Sequence, residues 1–121
     1  MKFTLEASTS NAVAARGPGE VRIGARLFRR SVVVSAEAIL AEWPVRDAAG
    51  FVDSAIEAVL GLGPEIIILG TGERQVFPEP RVFAAVSARG VGLEVMDNGA
   101  ACRTYNVLLA EGRRVALALI L

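Results

Sequence analysis

The run EIIILGTGER at positions 65–74 decides the fold class of this chain. Its short, isoleucine-rich core is typical of a strand that is buried on both faces of a parallel sheet. The turn Gly70-Thr71-Gly72 then places backbone N–H groups at the carboxyl end of that strand. The run therefore predicts a parallel sheet. It also predicts the position of a candidate site, because ligands of open α/β sheets bind at the carboxyl ends of the strands.

The sequence on both sides of this run alternates between helix and strand signals. Gly61 and Gly90 suit helix ends, Pro78 and Pro80 suit a first helical turn, and Asp97 or Asn98 can cap a helix. This β-α-β-α-β order predicts a largely parallel core with helical crossovers. The predicted elements are helices over 51–60, 77–89 and 99–111 and strands over 66–69, 91–96 and 115–120.

The first part of the chain has short apolar runs separated by turns, as in Gly17-Pro18-Gly19. We therefore predict an antiparallel meander there, in which 27–34 is one apolar run. Residues 35–42 carry helix-forming alanines, and we predict at most one helical turn. The whole chain, 1–121, is predicted to be a single α/β domain with a mixed sheet.

Composition limits the classes of partner. The 121 residues include 13 basic and 13 acidic side chains, so the formal net charge is zero and nucleic acid is not an expected partner. A hydrophobic content of 53% without net charge lowers solubility, which favours association with a partner protein or with a second copy.

The absence of histidine and the single cysteine, Cys102, exclude several chemistries. Histidine-dependent zinc sites, Ser-His-Asp triads and Cys-His pairs cannot be built, and a lone cysteine cannot form an internal disulfide. No metal site and no cofactor are predicted. An enzymatic activity stays open, because Asp, Glu, Lys, Tyr, Arg and Cys102 remain available.

The segment Met1 to Glu6 carries charge where an export signal has an apolar stretch. No apolar run reaches the ~18 residues of a membrane-spanning helix. The sequence therefore predicts a cytoplasmic protein without a transmembrane segment.

Two loops are candidates for one binding site, because both follow predicted parallel strands. The first is the Gly-Thr-Gly turn, whose N–H groups could hold a phosphate, carboxylate or other small anion. The second is the start of the last predicted helix, where small residues allow close approach and an arginine could contact an anion. The candidate ligand-binding residues are Gly70, Thr71, Gly72, Arg74, Asn98, Gly99, Arg103, Tyr105 and Asn106.

Each candidate also has a structural interpretation. The Gly-Thr-Gly turn could serve only to let chain and helix pack closely, and Ala101, Tyr105 and Leu108 could form a packed helical stripe. Cys102 could be a nucleophile near a helix start, but a buried small apolar side chain is the simpler interpretation.

The runs PEIIILGTGERQ at 64–75 and GLEVMDNGAACRTYNVL at 92–108 resemble the domain-of-unknown-function 498/598 family. Residues 31–34 and Trp43-Pro44 fit the same family, whose Met-Asp-Thr pattern is Met96-Asp97-Asn98 here. The resemblance implies a three-layer α/β domain with a mixed sheet. Its bacterial members have no settled activity, and a eukaryotic relative is a mitochondrial assembly factor for respiratory complex I, so no catalytic residue is carried over.

Two functions follow as hypotheses. The first is a non-catalytic binding or assembly-factor-like protein, with an exposed apolar patch beside the loops. The second is a small-molecule or anion-binding protein, possibly an enzyme, whose site combines the Gly70 to Gly72 turn with the Asn98 to Arg103 helix start.

Overall fold

The computed structural model describes residues 11–121, so the prediction about Met1 to Glu6 lies outside the described residues. The strands are β1 (Val13–Gly17), β2 (Glu20–Ile23), β3 (Arg26–Phe28), β4 (Val32–Val34), β5 (Ile39–Leu40), β6 (Ile66–Gly70), β7 (Gly92–Met96) and β8 (Val115–Leu119). The helices are α1 (Asp53–Leu60), α2 (Pro80–Ser87) and α3 (Asn98–Ala110), and a 3-10 turn at Ala48–Gly50 precedes α1.

The central sheet has the strand order β5-β4-β8-β6-β7. Strand β6 is parallel to both neighbours, with Ile66 opposite Gly92 in β7 and Val115 in β8. Strand β4 is antiparallel to β8, and β5 is antiparallel to β4. The predicted α/β class with a mixed sheet and a parallel second half is therefore confirmed.

Three layers form because successive side chains of a buried strand point to opposite faces. Ile67 and Leu69 of β6 lie in the core under α1 and α2, whereas Ile68 lies in the core under α3. Strands β1 to β3 form a separate antiparallel sheet in the order β1-β2-β3, and its Val21, Ile23 and Phe28 complete the second core. The predicted N-terminal meander is this small sheet.

Residues 27–34 do not form one strand. Arg29 and Arg30 are exposed, and the chain passes there from the small sheet into β4, where Val32 to Val34 are fully buried. The two adjacent arginines were the sequence signal for this break, because they interrupt the apolar run between Phe28 and Val32.

Residues 35–42, for which we predicted at most one helical turn, form no helical turn. Ser35 N–H donates to the carbonyl of Ala38 at 2.9 Å, which closes a tight turn, and Ile39 and Leu40 then pair with β4 as strand β5. Pairing with an existing sheet outweighs the helix propensity of the alanines, because tertiary contacts override intrinsic preference.

Candidate functional site

The two candidate loops meet at one edge of the central sheet. Parallel pairing of β6 and β7 places Gly70 opposite Met96, so both loops begin at the same level. Thr71 N–H donates to the Met96 carbonyl at 3.0 Å, and Asn98 N–H donates to the Gly72 carbonyl at 2.8 Å. The loops are therefore contiguous, as a shared site requires.

Asn98 joins three chain segments at this edge. The residue is only 2% exposed; its side-chain Oδ1 accepts from Gly72 N–H at 3.0 Å, and Nδ2 donates to the Ile120 carbonyl at 2.9 Å. Gly70 leaves room for this amide, because a Cβ there would collide with Asn98 Oδ1 and lie 2.6 Å from Leu119 Cδ2. Asn98 thus forms hydrogen bonds within the fold, and Gly70 provides the space for its side chain.

In the loop that follows β6, the Thr71 hydroxyl forms hydrogen bonds within the loop itself. Thr71 Oγ1 donates to the Arg74 carbonyl at 2.7 Å and accepts from Val76 N–H at 2.9 Å, which folds the chain back on itself. Gly72 has a φ of 101°, a conformation that favours glycine. The Arg74 side chain is exposed.

Tyr105 and Asn106 hold the start of the small sheet against α3. The Tyr105 hydroxyl donates to the Asn11 carbonyl at 2.9 Å. Asn106 Oδ1 accepts from Val13 N–H, and its Nδ2 donates to the Val13 carbonyl, both at 2.9 Å. Tyr105 is fully buried, and burial raises its pKa well above the usual range. These contacts attach β1 to α3.

Gly99 and Arg103 lie on the other side of the helix start, where β1 supplies Arg16. A Cβ at Gly99 would lie 3.4 Å from a guanidinium nitrogen of each arginine, so the two cations converge there. Arg16 also forms an ion pair with Glu73 of the first loop at 2.6 Å. A shallow cavity of about 220 Å³ separates β1 from α3 at this point. The sequence did not indicate Arg16, because pairing between distant segments brings it here.

Cys102 is buried under the same helix start. Burial raises the pKa of its thiol to about 11, and the nearby Arg16 and Arg103 offset only part of that rise. Because the thiolate is the nucleophilic form, this shift disfavours reaction of the thiol at neutral pH, as expected of a buried packing residue.

An exposed apolar pair, Val76 and Phe77, lies on the loop that follows β6, and we did not predict it as part of the site. Val76 is 47% exposed and Phe77 is 63% exposed, and the Phe77 ring lies 6.3 Å from the Phe83 ring of α2. We assigned Phe77 to the helix start, but α2 begins at Pro80. Two adjacent large apolar residues between Gln75 and Pro78, outside any periodic pattern, were the available signal.

The described residues thus define a three-layer α/β domain whose sheet edge is internally hydrogen-bonded and carries an exposed apolar loop. The chain belongs to the family described as "Protein of unknown function (DUF498/DUF598)", whose model matches residues 13–120. The resemblance predicted from its motifs is confirmed.

Named relatives come from bacteria and animals. The "13 kDa major membrane protein" of Francisella tularensis is 30% identical over 94 residues, covering 77% of this chain and 76% of the relative. The mouse "NADH dehydrogenase [ubiquinone] 1 alpha subcomplex assembly factor 3" is 32% identical over 99 residues. That match covers 80% of this chain but only 52% of the assembly factor, so the chain spans about half the length of this relative.

Solved structures share the fold. A Xanthomonas campestris protein determined by NMR is 42% identical, with a TM-score of 0.80 over 93% of this chain and 86% of that one. Among residues 11–121, no helix has the length and apolar character needed to cross a bilayer.

Proposed function

We propose that this chain is a non-catalytic protein-binding module that acts in the manner of an assembly factor. Its partner docks on the loop between β6 and α2, here called the 71–79 loop, through Val76 and Phe77. A link to the assembly of respiratory complex I is part of the proposal.

The kinship with complex I assembly factor 3 supports this proposal, because an assembly factor works by contact with other proteins. The match covers about half of that factor, so its partners are carried over only as a hypothesis. The family membership itself adds no activity.

The observation that carries the proposal is the contrast within the 71–79 loop. The polar groups at its start are occupied internally, since Thr71 N–H, Gly72 N–H and the Thr71 hydroxyl all have partners within the fold. Its large apolar side chains at 76 and 77 face outward instead. Exposed aromatic and aliphatic side chains that cluster on one surface are typical of protein interfaces.

The small-anion alternative lacks this kind of support. The helix start of α3 has its own cap, because Asp97 accepts from Ala100 N–H at 2.9 Å. Arg16 and Arg103 converge at Gly99, but Glu73 already pairs with Arg16. The other expectations, a second copy as partner and a cytoplasmic location, stay predictions.

Affinity capture with matched variants tests the proposal. We expect proteins recovered with the tagged wild-type chain to be lost with Phe77→Ser and retained with Val107→Ser, because Val107 is similarly exposed, at 56%, but lies on α3. The melting temperatures of both variants serve as the folding control. Equal recovery with all three chains, or no recovered protein with the wild type, would contradict the proposal.

A further inference from the structure

Strand β7 leaves one edge of the central sheet open. It is the last strand in the order β5-β4-β8-β6-β7, and within residues 11–121 no strand lies beyond it. The opposite edge strand, β5, has only two residues, whereas β7 has five. An open edge presents backbone donors and acceptors that can pair with another chain.

The hydrogen bonds identify which groups of β7 point outward. Gly92 N–H donates to the Glu65 carbonyl at 3.0 Å, and the Met96 carbonyl accepts from Thr71 N–H, so these two residues face β6. Successive residues of a strand point their backbone groups to opposite sides. The backbone N–H and carbonyl groups of Leu93 and Val95 therefore point away from β6, towards the open edge. Gln75 Nε2 donates to the Val95 carbonyl at 2.9 Å, which agrees with that direction.

One uncompensated charge lies in the middle of this edge. The Glu94 side chain is exposed, and no salt bridge within the described part of the chain involves it. On the other face of β7, Leu93 and Val95 belong to the apolar core that also includes Phe83. The edge therefore combines outward-pointing backbone groups, of which the Val95 carbonyl accepts from Gln75, with a central carboxylate and a neighbouring apolar loop.

We propose that the occupant of this edge is an extended segment of a partner protein, which adds to β7 as a further strand. Its residue opposite Glu94 is Lys or Arg, and β-branched or apolar residues flank it. Cross-strand pairs of opposite charge stabilise strand pairing, whereas like charges oppose it. The inference rests on the proposed function, because it names the binding mode and chemistry of the partner.

A second copy of this chain is a poorer occupant. Antiparallel pairing of β7 with itself in the register that uses all five residues would place Glu94 directly opposite Glu94 of the other copy. The same carboxylate that attracts a basic residue therefore opposes self-association.

A peptide titration followed by amide NMR tests strand addition without a cellular partner. The probe is a short acetylated peptide in which Val and Thr alternate around one central Lys. We expect the largest shifts at the amides of Leu93 and Val95, and binding about fivefold weaker when the central Lys is replaced by Glu. Glu94→Lys should reverse that preference. Gln75→Ala should tighten binding roughly threefold, because it removes the competing donor to the Val95 carbonyl.

A fully N-methylated peptide keeps the side chains but lacks N–H donors, so it should not bind. Absence of shifts with the Lys peptide up to its solubility limit, or equal shifts with the methylated peptide, would overturn the proposal. Concentration-dependent shifts of Leu93 and Val95 without peptide would assign the edge to a second copy instead. If captured proteins depend on Phe77 but these titrations fail, the proposed function stands and strand addition falls.

Discussion

The side-chain oxygen of Asn98 lies 3.0 Å from the amide nitrogen of Gly72, so the two loops that the sequence offered as a binding site are hydrogen-bonded to each other. The same side chain reaches the Ile120 carbonyl just after β8. The carboxyl ends of three parallel strands are thereby tied through one buried amide. This arrangement gives the 71–79 loop a fixed base from which Phe77 projects.

Asn98→Ala should lower the free energy of unfolding by about 2–4 kcal/mol, because it leaves the partly buried Gly72 N–H and the buried Ile120 carbonyl without this partner. Urea denaturation measures the change. Arg103→Ala is the matched control on the same helix; its exposed side chain should change stability by less than about 0.5 kcal/mol. Equal stability of the two variants would show that the Asn98 amide does not support the fold.

Gly70→Ala should cost about 1–3 kcal/mol, because a Cβ there meets the Asn98 side chain and Leu119 in a filled core. Gly92→Ala is the comparison within the same sheet. Its Cβ would find its nearest neighbour at 3.6 Å, so we expect little loss of stability. Thermal unfolding of both variants distinguishes crowding at Gly70 from a general effect of adding a methyl group to this sheet.

Asn106→Ala should loosen β1 more than it loosens the central sheet. The variant removes both hydrogen bonds to Val13, so the Val13 amide should exchange with deuterium faster, whereas the Ile68 amide in β6 should lose little protection. Uniform loss of protection at both amides would mean that the small sheet and the central sheet open as one unit.

The Cys102 thiol should resist iodoacetamide at neutral pH and react fully in denaturant. Burial raises its pKa to about 11 from an ordinary 9.0, so the fold favours the protonated thiol. The stability that this provides is complete below about pH 9 and is lost as the pH rises towards 11. Stability of Cys102→Ala should therefore fall less steeply across that range, and rapid labelling of the folded wild type would contradict the assignment.

The parallel core was predictable because its signals are local. The apolar run at β6, the cap at Asp97 and the prolines at the start of α2 each act within a few residues, and the observed α3 begins one residue before the predicted 99. The pairing of β6 with β7 then placed both candidate loops at one edge, as parallel topology requires.

The hydrogen-bond partners of the individual site residues were not predictable, because they are distant in the chain. Tyr105 binds the carbonyl of Asn11, 94 residues earlier, and Arg16 meets Glu73 across 57 residues. Only the assembled fold shows that the side chains of Asn98, Tyr105 and Asn106 are occupied internally. The same holds for Phe77, whose exposure depends on where α2 begins.

If the 71–79 loop contacts a protein partner, photo-cross-linking from Phe77 in cells of the source organism will capture that contact. A photoreactive phenylalanine analogue is placed at Phe77 in one chain and at Val107 in another, since both side chains are exposed. We predict a discrete adduct at position 77, identified by mass spectrometry and lost when Val76→Ser is added, and no such adduct at position 107. The same adducts at both positions, or none at position 77, would show that the 71–79 loop is not the docking surface.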